Sequence, residues 1–140
     1  MLQKVYNSSG QKAYQRTDNE DRSLPYRNWL RTVSTNGFFI DIDFIKWKTI
    51  NGEILPVAIT DLTRCDSETV GQGYLDAITN RLFIRDQQGK LLETLGRLLK
   101  VPVYLILFQK DMQWLHVYSF QKKIWKEYTP TEWAQFLYEL

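Results

Sequence analysis

The sequence predicts a single α/β domain with a mixed β-sheet flanked by helices. Two apolar runs flank Asn51-Gly52, the pattern of a β-hairpin with a tight turn. A leucine-rich stretch with helical spacing follows at 74–100. A nearly continuous apolar run, Val101–Gln109, comes directly after it and is typical of a central strand buried on both faces. The helical stretch would then be a crossover between parallel strands.

Composition narrows the function classes. The chain has 140 residues, enough for one domain with a core. Its formal net charge of +2 is too small by itself to indicate a nucleic-acid-binding protein. A single cysteine, Cys65, excludes an internal disulfide and indicates a reducing compartment. The polar start and the lack of a long apolar run predict a soluble, cytoplasmic protein without membrane contact. His116, the one histidine, lies within an apparent strand, where a half-exposed structural role is expected.

The elements can be placed in order along the chain. A polar N-terminal segment, residues 1–22, is expected to be partly mobile or helical, and residues 23–140 to form the α/β domain. The predicted elements are a weak helix over Lys12–Asp21, a short turn or helix over Tyr26–Arg31, strands over Phe38–Lys48 and Ile54–Arg64, a helical stretch over Tyr74–Lys100, strands over Val101–Gln109, Trp114–Phe120 and Ile124–Tyr128, and a closing helix after Thr129.

Two features refine the helices. Gly89 is expected to divide the long helical stretch, and Gly96 indicates close packing of its second part against a sheet. Thr129-Pro130-Thr131-Glu132 combines an N-cap, a proline in the first turn and a capping-box glutamate. The closing helix should therefore begin at this point.

Acidic residues in the hairpin are the feature most suggestive of function. In a strand of period two, Asp41 and Asp43 share a face, and Asp61 lies on the partner strand. Neighbouring carboxylates repel one another unless a cation lies among them. The sequence thus predicts an acidic site, against the alternative that these are solvated residues of an edge hairpin.

The hairpin resembles the PD-(D/E)XK nuclease superfamily, whose signature is an Asp on one strand followed by acid-x-Lys on the adjoining strand. Ile40-Asp41-Ile42-Asp43 resembles the first part and Val57–Arg64 the second, and Leu98–Tyr104 resembles the helix-to-strand passage of small members. The resemblance implies a restriction-endonuclease-like fold and a metal-dependent nuclease that hydrolyses phosphodiester bonds of DNA or RNA.

The resemblance also implies roles for individual residues. Asp41, Asp43 and Asp61 would bind Mg²⁺ or Mn²⁺, because hard cations prefer oxygen ligands. Asp41 and Asp61, together with Thr63 and Arg64 where the motif requires its lysine, would form the catalytic group. Thr63 stands in the lysine position, and Arg64 points to the opposite face of a regular strand and is a poor base.

Other cations are candidates for a replacement base or for contacts with phosphate. Lys46 or Lys48 would supply a relocated base only if it turned towards the acids, and strand alternation points both away. A basic rim around the acids would support nucleic-acid binding. Its candidate members are Lys46, Lys48, Arg64, Arg81, Arg85, Lys90 and Arg97.

Two further hypotheses remain open. The first is a catalytically inactive nuclease-fold domain that binds protein or nucleic acid, or forms a homodimer, through exposed aromatic residues such as Trp47, Trp114 and Trp125. The second is an unrelated α/β domain in which the acids are incidental.

Overall fold

A computed structural model describes residues 2–6, 12–16, 22–33, 36 and 40–140. The chain divides into two compact units, Met1–Phe39 and Ile40–Leu140. From the sequence, the division was expected after residue 22. The larger unit is an α/β fold with a five-stranded mixed sheet flanked by helices, so the predicted fold class is confirmed at that level.

The first unit contains a β-hairpin and a short helix. Strands β1 (Leu2–Tyr6) and β2 (Lys12–Arg16) pair antiparallel, and α1 spans Leu24–Leu30. The helix predicted from Lys12 is therefore wrong over Lys12–Arg16, and its remainder lies outside the described residues. Pro25 lies in the first turn of α1, where its missing N–H leaves no hydrogen bond unmade.

The second unit is built on one sheet with the order β3-β4-β5-β6-β7. Only the β4–β5 pairing is parallel, and the other pairs are antiparallel. The strands are β3 (Phe44–Ile50), β4 (Glu53–Cys65), β5 (Val103–Gln109), β6 (Leu115–Ser119) and β7 (Ile124–Tyr128). The central, buried position predicted for β5 is confirmed.

The β3–β4 hairpin turns at Asn51-Gly52, as predicted. Asn51 has φ 51° and Gly52 has φ 82°, the left-handed conformations that suit a two-residue turn between twisted strands. A register irregularity between Lys46 and Trp47 interrupts the pairing. β3 begins at Phe44, whereas the sequence placed its start at Phe38; residues 38 and 39 lie outside the described residues, and residues 40–43 are not in a strand.

Helices α2 (Gln72–Asn80) and α3 (Gln88–Leu99) form the crossover from β4 to β5. Between them lies a π-helical segment, Arg81–Arg85. The long helical stretch is therefore divided before Gly89, the residue at which the sequence predicted the division. The close approach predicted at Gly96 is confirmed, because a Cβ on this residue would collide with the Val103 side chain. α3 therefore lies tightly on the first residue of β5.

The sheet separates two apolar layers. On one face, residues of α2 and α3 pack with Ile59, Val103 and Leu107. On the other face, Trp133 of helix α4 (Pro130–Glu139) packs with Ile106, Leu115 and Val117. Both hydrogen bonds of the predicted capping box at Thr129 and Glu132 are present.

The structural role expected of His116 is met, because it is a half-buried residue of β6 whose ring centroid lies 5.0 Å from that of Trp114. Cys65 is fully buried. In the described part of the chain, every helix is too short or too polar to cross a membrane.

Candidate functional site

Strand β4 presents alternate side chains to the two apolar layers. Its pairing with β5 runs without a break from Ile59 to Cys65, so the alternation is regular. Ile59 and Cys65 belong to the layer under α2 and α3, which places Asp61 and Thr63 on that face. Leu62 packs in the layer under α4, and Arg64 shares its face.

Asp61 is a carboxylate in the interior. Only 5% of its surface is exposed, and the side-chain amide of Gln88 donates a hydrogen bond to it, with 2.8 Å between Nε2 and Oδ2. Gln88 is the first residue of α3. The crossover helix thus covers the carboxylate and meets it with a neutral donor.

Asp43 reaches the same place from a different segment. Its Oδ2 accepts a hydrogen bond of 2.8 Å from the backbone N–H of Leu62, and its side chain is hydrogen-bonded to Asp61. The sequence placed Asp43 on a strand, but it lies in the extended segment directly before β3. It approaches β4 through a side-chain bond to the backbone and not through strand alternation.

The electrostatics of the pair follow from this packing. Burial, the hydrogen bond to Asp43 and the negative charge of Asp43, in that order, raise the pKa of Asp61 from 3.8 to about 7. The backbone amides of Leu62 and Asp43 act in the opposite direction. At neutral pH about half of the molecules therefore hold a proton that the two carboxylates share.

Asp41 stands apart from this pair. It is exposed, and no hydrogen bond between it and Asp43 or Asp61 is present. Within the residues that the structure describes, no three His, Cys, Asp or Glu side chains gather as a metal-binding group. The structure brings together two of the three predicted metal ligands.

The residues at the predicted lysine position differ in environment. Thr63 is half-buried on the same face as Asp61. Arg64 forms an ion pair with Asp66, with 3.0 Å between Nε and Oδ1, and both side chains are largely exposed. Arg64 therefore faces away from the acid pair, as strand alternation predicted.

Lys46 and Lys48 are occupied elsewhere. The Nζ of Lys46 donates to the carbonyl oxygen of Leu137, and that of Lys48 donates to the carbonyl oxygen of Leu140 at 3.0 Å. Both lysines thus hold the C-terminal end of α4, where carbonyl groups and the helix dipole favour cations. Neither replaces the missing motif lysine in this conformation.

Two of the remaining candidates for a basic rim are engaged or placed elsewhere. Arg85 pairs with Asp86 at 3.0 Å, and Arg97 lies in the last turn of α3, the turn furthest from Gln88. Among residues 40–140, neither Asp43 nor Asp61 forms an ion pair with a Lys, Arg or His. The site is acidic and lacks a built-in counterion within that range.

Gln88 is the site residue that the sequence did not reveal. It is separated by 27 positions from Asp61, and the N-terminus of α3 carries no side-chain cap that would have marked it. Gln87, just before it, has the left-handed φ of 58°, and the π-helical segment breaks the helical period upstream. A polar residue opening a leucine-rich helix was the one available signal.

The arrangement has three oxygen-bearing groups at one point: two carboxylates and the Gln88 amide. The amide can present either its NH₂ or its oxygen by rotation about its last bond. With one proton shared between them, the two carboxylates carry a single negative charge. On loss of that proton they carry two negative charges and attract cations more strongly.

Comparisons with protein-family models, with curated proteins and with solved structures gave no match to this chain.

Proposed function

We propose that this chain is a metal-dependent nuclease of restriction-endonuclease-like fold, whose cation site is formed by Asp43 and Asp61. The observation that carries the proposal is the buried Asp61 beside a second carboxylate, with the pKa of Asp61 raised to about 7. Such an arrangement is costly without a cation, and perturbed carboxylates of this kind concentrate at functional sites. The order of hairpin, helical crossover and parallel β5 agrees with the layout that the resemblance implies.

The residues present fit a hard divalent cation. Asp43 and Asp61 supply carboxylate oxygens, and Gln88 supplies an amide oxygen after rotation of its side chain. Mg²⁺ and Mn²⁺ accept such ligands and retain several waters, so two carboxylates are sufficient protein ligands. Asp41 is not part of this set, because the described residues contain no group of three acids that could hold a metal ion together.

When bound, the ion would lower the pKa of its water and stabilise charge on the phosphate under attack. The protein's own contribution is to hold the two carboxylates in position. The N–H of Leu62 fixes Asp43, and Gln88 fixes Asp61. Thr63 can orient a water through its hydroxyl, but a hydroxyl does not accept a proton at neutral pH.

The second candidate is a non-catalytic nuclease-fold domain that binds a partner. Thr63 at the lysine position, with Arg64 tied to Asp66, favours it, because no basic side chain follows Asp61 on its face. Phe44 and Trp47 of the edge strand β3 are 60% and 53% exposed, which suits contact with a protein or with nucleobases.

The experiment that tests the first candidate is cleavage of single- and double-stranded DNA and RNA in Mn²⁺, with a chelator as the blank. We expect cleavage by wild type and by Asp41→Asn, and its loss in Asp43→Asn and Asp61→Asn. If Asp41→Asn abolishes cleavage while Asp61→Asn retains it, the assigned ligands are wrong. If nothing is cleaved but nucleic acid or a second copy of the chain is bound, the second candidate takes its place.

A further inference from the structure

A groove lies at the C-terminal end of α3, whereas Gln88 is at its N-terminal end. The groove has a volume of about 560 Å³, within the size range of small-molecule sites. Its lining comes from the last turns of α3, the connection between α3 and β5, and the turn after β6. The residues are Glu93, Gly96, Arg97, Lys100, Val101, Pro102, Phe120, Gln121 and Lys123.

Three cations form the rim of this groove: Arg97, Lys100 and Lys123. Within residues 40–140, none of them forms an ion pair with an acidic side chain. The helix dipole explains a cation in the last turn of α3, such as Arg97. It does not explain Lys123, which comes from the β6–β7 connection.

The backbone at two of these lysines adds an independent observation. Lys100 has φ 59° and Lys123 has φ 58°, in the left-handed region where glycine or asparagine is favoured. A lysine there is less favourable than in its relaxed conformation, because its Cβ comes close to the following carbonyl oxygen. Both lysines contribute their charge to the same groove.

The rest of the lining limits the ligand. The floor is formed by apolar groups of Val101, Pro102 and Phe120, which suit a flat or apolar body. Glu93 would repel a simple anion, so the ligand must also present a hydrogen-bond donor to this carboxylate. An anionic group, a donor and a flat body together describe a nucleotide.

We propose that this groove binds a nucleoside monophosphate unit, either free or at the end of a strand. Its phosphate contacts Lys100, Lys123 and Arg97, its ribose hydroxyls or base amine donate to Glu93, and its base lies on the apolar floor. The inference is independent of the acid pair, because none of Asp43, Asp61 and Gln88 lines the groove.

The test is calorimetric titration of the full chain with adenosine 5′-monophosphate, adenosine, inorganic phosphate and a 5′-phosphorylated pentanucleotide. Wild type should bind the monophosphate more tightly than either of its parts. Lys100→Gln/Lys123→Gln should weaken that binding by about tenfold, since each exposed charge contact is worth a few-fold in affinity. The matched control Lys110→Gln/Lys126→Gln, which removes two charges outside the groove, should bind as wild type does.

Two further variants sharpen the result. Glu93→Gln should reduce the ratio of the affinity for the monophosphate to that for inorganic phosphate. Asp43→Asn/Asp61→Asn should leave the affinity for the monophosphate unchanged. Equal weakening by the control pair, or phosphate binding as tightly as the monophosphate in wild type, would overturn the proposal. So would the absence of monophosphate binding. A pentanucleotide that binds more tightly than the free nucleotide, with the same lysine dependence, would identify a strand end as the ligand.

Discussion

Replacing Asp61 by Asn should remove a pH dependence from the stability of the fold. The protonated carboxyl of Asp61 can donate a hydrogen bond to Asp43 and accept one from Gln88. An asparagine side chain offers the same donor and acceptor in nearly the same shape. The variant should therefore fold, and it should not acquire a buried charge as pH rises.

The magnitude follows from the pKa of Asp61, which is raised from 3.8 to about 7 in the folded chain. Between these values the native state holds a proton that the unfolded state has released, so wild-type stability falls as pH rises from about 4 to about 7. A difference of about three units, at about 1.4 kcal/mol each, sets a ceiling of about 4 kcal/mol. Relaxation and solvent screening reduce this, and we expect on the order of 2 kcal/mol.

The assay is urea unfolding of wild type, Asp61→Asn and the control Asp41→Asn from pH 4.5 to 8.5 in a metal chelator. Titrations of groups that do not interact with Asp61 cancel in the difference between variants. The Asp61→Asn minus wild-type difference should rise by about 2 kcal/mol up to pH 7 and then level off. Parallel profiles for wild type and Asp61→Asn would refute the buried, proton-sharing carboxyl.

Three predictions concern the scaffold that holds the site. Leu92→Ala should lower the free energy of unfolding by about 2–5 kcal/mol, because Leu92 is fully buried, whereas Leu98→Ala, at 70% exposed, should change it by less than about 0.5 kcal/mol; equal urea midpoints would contradict the packing of α3. Gly96→Ala should destabilise by about 1–3 kcal/mol, because its Cβ meets Val103, and a neutral result in thermal unfolding would show that α3 can move away from β5. Thr129→Ala should cost about 1 kcal/mol through loss of the capping box, and an unchanged denaturation midpoint would show that α4 begins independently of this cap.

Local chemistry made part of the fold predictable. Asn51-Gly52, the Thr129 capping box and Gly96 each have a mechanism that acts over a few residues, and each is found as expected. Strand β5 was also predictable from its apolar run, because a strand buried on both faces does not alternate apolar and polar residues.

The rest depends on contacts between distant segments. Strand β2 was predicted as helix because its five residues show neither a clear period nor a turn signal. The approach of Asp43 depends on the N–H of Leu62, and that of Gln88 on a π-helical segment whose irregular backbone has no sequence signature. The acidic residues Asp43 and Asp61 were therefore recognisable from residue type, but their contacts with Leu62 and Gln88 were not.

The most direct test of the metal site is calorimetric titration of Mn²⁺ into wild type at pH 6 and pH 8, in buffers of different ionisation enthalpy. We predict binding that is weaker at pH 6, where displacement of the Asp61 proton must accompany it, and about one proton released per ion at that pH. Asp61→Asn and Asp43→Asn should lose binding, and Asp41→Asn should retain it. Absence of Mn²⁺ binding by wild type at pH 8, or equal binding by Asp61→Asn, would contradict a cation site at this pair.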